Sequence, residues 1–438
     1  MKILKFGGTS VGSASRMKDV ASLVLEDGQV KIVVLSAMSG TTNSLVEISN
    51  YLYKKNADGA NEVIAKLEKK YADHVAELYS TPEFREKGNE LIRERFNYIK
   101  SFTNNVFTVF EEKEILSQGE LISTGMFHLY LLERGVKSCL LPALDYMRID
   151  KNNEPDTAYI RENLNALLEK NQGFDIYITQ GYICRNSFGE VDNLQRGGSD
   201  YTASLIGAAL LADEIQIWTD IDGMHNNDPR FVDNTKPVSE LSFDEAAELA
   251  YFGAKILHPT CVLPAKVNNI PVRLLNTMDP KAHGTLISGH QCPDRVAAIA
   301  AKDNIIALRI KSSRMLLAYG FMRKVFEIFE SYKTPIDMIT TSEVGVSVTI
   351  DTDRHLYDII DDLKKFGTVE VDKNQCIICI AGDFAANKKG YASAIFDSLA
   401  DVPIRMISYG GSSHNVSILV DAQDKVAALR CLSAGLFK

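Results

Sequence analysis

Residues 1–10 read MKILKFGGTS, an apolar run followed at once by two glycines and then by a helix-like segment over residues 15–26. Consecutive glycines let the backbone approach an anion, and the unpaired amides at the start of the following helix favour negative charge. Lys5 would bring a cation to a transferring phosphoryl group. A tight turn with a solvated lysine is the alternative. Because neither GxGxxG nor GxxxxGK[ST] occurs in this stretch, a Rossmann or P-loop site is not predicted.

The segments beyond this turn predict an α/β domain with a helical insert. Residues 30–35 (VKIVVL) are a second continuous apolar run, typical of a strand buried on both faces. Further strands are expected at 138–141, 176–181 and 214–218, with a helix at 243–252. Between about residue 45 and residue 116, charged and apolar residues recur instead at helical spacing. We therefore expect an α/β fold interrupted by a helical subdomain.

The C-terminal third contains a weak internal repeat. Residues 289–295 (GHQCPDR) are rich in turn formers and mark the expected end of the first domain. After them, a strand, a helix and two strands are expected between residues 305 and 350, and the order restarts at residue 375. Two βαββ-like units of this length predict paired ferredoxin-like modules. Paired small domains behind a catalytic domain suggest regulation.

The composition predicts a cytoplasmic enzyme that handles anions through a few local cations. The formal net charge of −9 argues against a nucleic-acid partner, which requires a basic face. No apolar run approaches the about 20 residues that a membrane span requires, and no secretory leader is evident. The seven cysteines predict reduced thiols rather than disulfides. Cys376 and Cys379 form a CxxC inside an apolar run, which favours core thiols, and no metal-binding cluster is predicted.

Two further motifs offer groups that could bind a substrate. Residues 195–200 (QRGGSD) precede the apolar helix YTASLIGAALLA, and Arg196 carries a fork that suits a carboxylate. The alternative is that Ser199 or Asp200 is only a helix N-cap. Glu120, in SQGELIST, lies near a presumed helix start, where an acid could simply face the helix dipole. A carboxylate near Arg196 would, however, grip an α-amino group while the arginine holds the carboxylate.

Three short segments suit a nucleotide. Residues 218–223 (WTDIDG) follow an expected strand, and residues 228–230 (DPR) and 253–255 (GAK) come soon after. Aspartates at strand ends suit ribose or metal-bound phosphate, and Arg230 and Lys255 suit phosphates. Asp-Gly and Asp-Pro are also ordinary turn dipeptides, so each segment alone is weak evidence for a nucleotide site.

Taken in order, these motifs resemble those of the aspartokinase family. KFGGTSV, VVLSAMSGTTN, GELIST, RGGSDYTAS, WTDIDGMHNNDPR and GAKILHP occur in the family's order. Residues 320–352 and 406–420 resemble its two ACT modules. The resemblance implies a three-layer αβα sandwich of the amino-acid-kinase type with a helical insert (about 45–116), followed by two ferredoxin-like ACT modules. It implies a catalytic domain at 1–292 and a regulatory region at 293–438, with modules at about 300–370 and 371–438.

The resemblance implies a phosphotransferase that uses ATP and Mg²⁺ to convert the β-carboxylate of L-aspartate into 4-phospho-L-aspartate, the first step of lysine, threonine and methionine biosynthesis. Lys5 and Asp200 would be catalytic, and Lys5 would stabilise the transferring γ-phosphoryl group. The aspartate ligands would be Ser36, Thr42, Glu120, Arg196 and Ser199. The nucleotide contacts would be Lys5, Gly7, Gly8, Thr219, Asp220, His225, Arg230 and Lys255.

For regulation, the resemblance implies feedback inhibition by an amino acid, with L-lysine favoured over threonine. It also implies a homodimer paired through the ACT modules, with a tetramer as a further step. The effector-contacting positions would be Met315, Gly320, Phe321, Met322, Asp337, Thr341, Ser342 and Glu343.

The sequence departs from the family pattern at three positions. Gln195 replaces a common glycine, His225 replaces a tyrosine near the nucleotide, and Ala318 replaces a polar residue near the effector. We expect modest changes in loop conformation and in nucleotide contact from the first two, and a changed effector affinity from the third.

Two alternatives remain open. The first is a kinase of another substrate on the same fold, such as glutamate or carbamate; those relatives generally lack the ACT pair. The second is a non-catalytic amino-acid sensor with a degenerate kinase domain. The presence of Lys5, Arg196, Asp200 and Lys255 argues against the sensor.

Overall fold

The computed structural model describes residues 1–194, 197–253, 258–312, 319–384 and 389–437. Its strands are β1 Lys2–Phe6, β2 Lys31–Leu35, β3 Ser138–Leu141, β4 Ile176–Gln180, β5 Ile183–Arg185, β6 Val191–Asn193, β7 Glu214–Thr219, β8 Glu240–Ser242, β9 Val272–Asn276, β10 Thr285–Ser288, β11 Val296–Lys311, β12 Ile339–Thr341, β13 Gly345–Ile350, β14 Thr368–Gly382, β15 Met406–Tyr409 and β16 Asn415–Asp421. Its helices are α1 Ala14–Leu25, α2 Thr41–Tyr53, α3 Ala57–Leu78, α4 Pro82–Ser101, α5 Val109–Glu133, α6 Ala143–Tyr146, α7 Thr157–Lys170, α8 Gly198–Leu210, α9 Phe243–Tyr251, α10 Pro259–Val267, α11 Phe321–Ser331, α12 Leu356–Lys364, α13 Tyr391–Ser398 and α14 Lys425–Leu436.

The chain divides into two compact units. The first unit comprises Met1–Met224 and Ile256–Gly289, and the second comprises His225–Lys255 and His290–Lys438. Residues 225–255, which the sequence analysis assigned to the catalytic domain, therefore pack with the C-terminal region. The boundary at residue 292 stays a prediction.

The first unit is built around a mostly parallel sheet with β1 at its centre. Its strands lie in the order β3-β4-β2-β1-β7-β9-β10. β1 pairs in parallel with β2 on one side and with β7 on the other, so that Lys5 lies between Val34 and Ile217. The chain leaves β1 toward β2 and returns on the other side at β7. In open α/β sheets, ligands bind at the carboxyl ends of strands beside such a switch point.

The helical insert consists of α2, α3, α4 and α5, and extends beyond the predicted range at its C-terminal end. Local signals set its boundaries: Thr81 caps α4 ahead of Pro82, and Thr108 forms a capping box with Glu111 at the start of α5. Tyr71 and Phe96 are fully buried in the same core as β1 and β2. Most residues in the middle of α5 are buried, and several of them are polar, so this helix places polar side chains in the interior of the unit.

The second unit contains one six-stranded sheet, in the order β12-β13-β11-β14-β16-β15. The long strands β11 and β14 pair with each other along their lengths and serve both halves of the sheet. The first half packs α11 and α12 against the sheet, and the second packs α13 and α14. The predicted division near residue 370 falls inside β14. Cys376 and Cys379 lie fully buried on β14 with free thiols, which confirms the prediction of core cysteines.

Among the described residues, no helix combines the length and the apolar character needed to cross a bilayer.

Candidate active site

A polar cavity of about 530 Å³ lies at the carboxyl end of β1 in the first unit. Lys5 and Gly8 line it from β1 and the turn that follows, and the Gly7 amide holds that turn by donating to the Trp218 carbonyl (3.2 Å). The loop after β2 lines the opposite wall. The cavity therefore occupies the switch point where the topology predicts a ligand.

Gly8 is required by the close approach of two loops. A Cβ at this position would lie 2.8 Å from the Ala37 carbonyl oxygen, inside van der Waals contact. The Gly8 carbonyl also accepts a hydrogen bond from the Ser39 amide (3.1 Å). The glycine thus lets the backbones of the β1 and β2 loops meet at the cavity wall.

Two helices begin at the cavity. α2 follows Gly40 (φ +80°) and α8 follows Gly197 (φ +71°), a left-handed conformation that glycine adopts without strain. Neither glycine can supply a capping side chain, and no side-chain cap is found at either helix among the described residues. The Thr41 amide donates to the Met38 carbonyl (3.0 Å), and other first-turn amides of the two helices can donate to anionic groups of a ligand.

The principal charge pair of the cavity joins β1 to α8. Lys5 Nζ lies 2.6 Å from Asp200 Oδ1, and the two side chains are only 10% and 16% exposed. The carboxylate at the first turn of α8 is favoured by the helix dipole. The pair therefore positions a nearly buried ammonium group at the end of the central strand, where it can face a phosphate.

Glu120 brings a second carboxylate into the cavity from the middle of α5. Its side chain is buried, and Oε1 accepts a hydrogen bond from the Ala37 amide (3.1 Å). Burial raises the pKa of Glu120 to about 8, although the Ala37 hydrogen bond opposes this shift. A carboxylate in such a place gains strongly from an ammonium partner, which would restore its charged form.

This pKa predicts a pH dependence of substrate binding. Glu120 is largely protonated at neutral pH in the free enzyme, and ionises as the pH rises through about 8. Only the ionised form attracts an ammonium group, so kcat/KM for an amino-acid substrate should rise about eightfold between about pH 7 and pH 8.5. The profile of kcat/KM reports ionisations of the free enzyme and checks this directly. A flat profile over that range would contradict it.

The cavity brings together seven of the predicted site residues: Lys5, Gly8, Ser36, Thr42, Glu120, Ser199 and Asp200. Gly7 lies in the same turn as Gly8. Arg196 and Lys255 lie outside the described residues, as does Gln195.

The predicted nucleotide residues fall in two groups. Thr219 ends β7 beside β1, and Asp220 is exposed directly after it; neither lines the cavity. His225 and Arg230 belong to the second unit. His225 Nδ1 lies 2.8 Å from Thr235 Oγ1, and the Arg230 guanidinium donates to both carboxylate oxygens of Asp228. In this conformation the Arg230 fork is already occupied, and a phosphate would compete with Asp228 for it.

Several lining residues were not singled out in the sequence analysis: Thr9, Ser39, Asn43 and Tyr182. Thr9, Ser39 and Asn43 belong to the motifs KFGGTSV and VVLSAMSGTTN, so these motifs already indicated that part of the site. No sequence motif indicated Tyr182, because its place in the cavity depends on close packing against Gly198. A Cβ on that glycine would lie 2.5 Å from the Tyr182 ring.

The predicted effector residues lie in the first half of the C-terminal sheet. Gly320 (φ +81°) precedes α11, which begins with Phe321 and Met322. Asp337 precedes β12, Thr341 ends it, and Ser342 and Glu343 are exposed in the turn to β13. Met315 and Ala318 lie outside the described residues.

Comparison with known proteins identifies the family of the chain. Residues 1–276 match the model of the amino acid kinase family, and residues 378–436 match an ACT domain. The chain is 35% identical over 450 residues to the lysine-sensitive aspartokinase 3 of Escherichia coli, covering 100% of this chain and 99% of that protein. The chain belongs to the aspartokinase family. As an aspartokinase it is an aspartate kinase, and the alternatives of another substrate and of a non-catalytic sensor lose their support.

Other aspartokinases extend the comparison. Aspartokinase 1, chloroplastic, of Arabidopsis thaliana is 32% identical, over 100% of this chain and 80% of that protein. The crystal structure of E. coli aspartokinase III in complex with aspartate and ADP (R-state) has a TM-score of 0.84 at 33% identity, with both chains covered completely. The structure of the same enzyme with lysine and aspartate (T-state) has a TM-score of 0.78 at 34% identity, again with complete coverage.

Proposed function

We propose that this aspartokinase transfers the γ-phosphoryl group of MgATP to the β-carboxylate of L-aspartate in the cavity at the end of β1. The observation that carries the proposal is the pairing of Lys5 with Asp200 in a cavity that is also lined by the buried carboxylate of Glu120. A cation for the phosphoryl group and an anion for the substrate ammonium group thus share one space.

In the proposed reaction an oxygen of the ionised β-carboxylate attacks the γ-phosphorus, and the bond from this phosphorus to the bridging oxygen of ADP breaks. No proton has to move, because the nucleophile is already an anion. Phosphoryl transfer of this kind depends on positioning and on stabilising charge. Lys5 would stabilise the charge on the γ-phosphoryl oxygens, and Asp200 would hold the lysine in place.

The aspartate would be gripped at both ends of its amino-acid group. Glu120 would accept hydrogen bonds from the ammonium group, and Arg196 would hold the α-carboxylate. The hydroxyls of Ser36, Thr42 and Ser199 line the same cavity. The amides at the start of α2 and α8 would add donors for carboxylate and phosphate oxygens.

For the nucleotide we propose contacts from Gly7, Gly8, Thr219, Asp220, His225, Arg230 and Lys255. Mg²⁺ neutralises charge on the β- and γ-phosphates when bound. Oxygen donors suit this ion, and the exposed carboxylate of Asp220 at the end of β7 would be available to it. Among the described residues, the group of three potential metal ligands is Glu240, His290 and Cys292 in the second unit, so the first unit contributes no ready-made cage. We propose that Mg²⁺ enters the site already bound to the phosphates of ATP. We also propose that the enzyme is cytoplasmic.

Trapping the product tests the acceptor group. Hydroxylamine converts an acyl phosphate into a hydroxamate, so MgATP, L-aspartate and hydroxylamine should yield the β-hydroxamate of aspartate, identified by mass spectrometry. L-Glutamate and carbamate serve as competing substrates. Two outcomes would contradict L-aspartate as the substrate. One is hydroxamate that forms from glutamate but not from aspartate, and the other is ADP release with carbamate but not with aspartate.

We also propose that L-lysine inhibits the enzyme through the ACT modules, which pair across a homodimer that could double to a tetramer. The sequence similarity to a lysine-sensitive aspartokinase supports this effector. The edge strand β15 with half-exposed Ile407 and Tyr409, and the exposed Val344 beside edge strand β12, support pairing through these modules.

Replacing Glu343 with alanine should weaken lysine inhibition. Glu343 is exposed in the turn after β12, next to Thr341 and Ser342, where it can reach an ammonium group. Loss of one charged hydrogen bond should raise the half-inhibitory lysine concentration about tenfold. Lysine titrations of ADP release measure this, with Glu330→Ala, an exposed glutamate at the end of α11, as the matched control. Unchanged inhibition would remove Glu343 from the effector site.

A further inference from the structure

A charged cluster around one buried carboxylate joins α9 to the sheet of the second unit. It consists of Tyr251, Lys302, Asp337 and Asp351. The Asp337 side chain is 1% exposed, and its Oδ1 accepts hydrogen bonds from Lys302 Nζ (2.7 Å) and from the Tyr251 hydroxyl (3.1 Å). Lys302 Nζ also lies 3.0 Å from Asp351 Oδ2 and 4.7 Å from the centre of the Tyr251 ring. We refer to these four residues as the Asp337 cluster.

The Asp337 cluster contains two carboxylates but only one ammonium group. Two carboxylates share the ammonium group of Lys302, and Asp337 Oδ2 is buried without a hydrogen-bond partner among the described residues. Burial raises the pKa of Asp337, and the contact with Lys302 opposes this. A second ammonium group at Asp337 would satisfy the unpaired oxygen. It would also compete with Lys302 and Tyr251 for the same carboxylate.

Tyr251 ties this carboxylate to α9. It is the last residue of α9, whose Glu248 Oε2 accepts a hydrogen bond from Asn415 Nδ2 (2.9 Å) at the start of β16. α9 is thus linked both to Asp337, two residues before β12, and to β16. A cavity of about 270 Å³, lined by Glu248, Tyr251, Asp337 and Asn415 among others, lies beside these contacts. It leaves room for the side chains to rearrange.

The backbone after α9 is locked against β11 next to Lys302. Gly253 has φ +111°, and a Cβ on it would lie 2.3 Å from the Ala301 carbonyl oxygen. Only glycine permits this approach. In the sequence, Lys255 follows two residues later, and it is one of the proposed ATP contacts.

We propose that Tyr251 and Lys302 are the positioning residues through which an ammonium group bound at Asp337 controls the position of α9. In the structure both residues donate hydrogen bonds to Asp337 Oδ1. The ammonium group of the effector binds the Asp337 carboxylate in place of the Tyr251 hydroxyl. α9 then loses its hydrogen bond to Asp337. The inference rests on the proposed inhibition by lysine at Asp337 and adds the route by which it acts. An effector acts only through unequal affinity for two states, and the Tyr251 hydrogen bond belongs to one of them.

Tyr251→Phe tests the sign of this coupling. The variant keeps the ring against Lys302 and removes only the hydroxyl that stabilises the effector-free state. We expect the half-inhibitory lysine concentration to fall about three- to tenfold, and the lysine Kd from calorimetry to fall with it. Turnover without lysine and the melting temperature should stay close to those of the wild type. A merely structural role would lower the melting temperature and leave the lysine titration unchanged.

The control is Tyr357→Phe, which removes the hydroxyl of a tyrosine on α12 that is 75% exposed. Its lysine titration should match that of the wild type. A half-inhibitory concentration in Tyr251→Phe that is unchanged or raised, while lysine inhibits the wild type, would overturn the coupling and leave the proposed regulation intact. A wild-type enzyme that does not respond to lysine would overturn both.

Discussion

Lys5→Met should lower kcat by about a thousandfold or more while the protein remains folded. The substitution keeps an unbranched side chain at the end of β1 and removes the ammonium group that we propose for the transferring phosphoryl group. Loss of a single preorganised charge that acts in the transition state costs this much in comparable reactions. Asp200 loses its partner but keeps the favourable position in the first turn of α8, so the fold should tolerate the change. Initial rates of ADP release with saturating MgATP and aspartate measure the effect.

The matched control is Lys2→Met, at the other end of the same strand. Lys2 is partly exposed and does not line the cavity. It should retain near-normal kcat, with a melting temperature similar to that of Lys5→Met. A Lys5→Met enzyme with kcat within tenfold of the wild type would show that Lys5 does not act on the phosphoryl group.

Glu120→Gln should raise KM for aspartate about 10- to 100-fold, with a smaller effect on kcat. Glutamine has the same shape and can still accept the Ala37 hydrogen bond, so the variant removes only the charge. A charged hydrogen bond to the substrate ammonium group is worth more than a neutral one, and in a buried site the difference is large. The rise of kcat/KM with pH expected for the wild type should disappear as well, because glutamine does not ionise.

Glu112→Gln, near the start of the same helix and in contact with the Tyr53 hydroxyl, provides the control. It should leave KM for aspartate and the pH profile unchanged. If Glu120→Gln kept the wild-type KM, the substrate ammonium group would have to bind elsewhere. If it lost kcat alone, Glu120 would belong to the transition state rather than to substrate binding.

The sequence motifs predicted the components of the cavity better than their mutual contacts. KFGGTS and RGGSD each place a charged residue at the junction of a strand or loop with a helix, which local patterns reveal. That Lys5 meets Asp200 follows from the parallel order of β2, β1 and β7, which no local pattern specifies. The sequence predicts Glu120 near a helix start, which is wrong, because α5 begins eleven residues earlier at Val109. Its burial depends on the packing of α5 against the β2 loop, where a Cβ on Gly119 would lie 2.8 Å from Ala37 Cβ.

The long strands of the C-terminal sheet could not be predicted in full. The sequence predicts that these strands begin at residues 305 and 375, whereas in the structure they begin at Val296 and Thr368. In the structure Asn304 (φ +61°) and Asn374 (φ +55°) adopt left-handed conformations within β11 and β14, and the register shifts there instead of the chain turning. Asparagine tolerates this conformation, and a bulge absorbs the extra residues. The assignment of residues 225–255 to the second unit likewise depends on tertiary packing alone.

The central claim is that one chain couples aspartate phosphorylation at β1 to amino-acid sensing in the ACT modules. The most direct measurement is ADP release from MgATP as a function of L-aspartate, with and without L-lysine or L-threonine. We predict aspartate-dependent turnover that falls with lysine. Folded protein that binds lysine but releases no ADP with aspartate would contradict the claim.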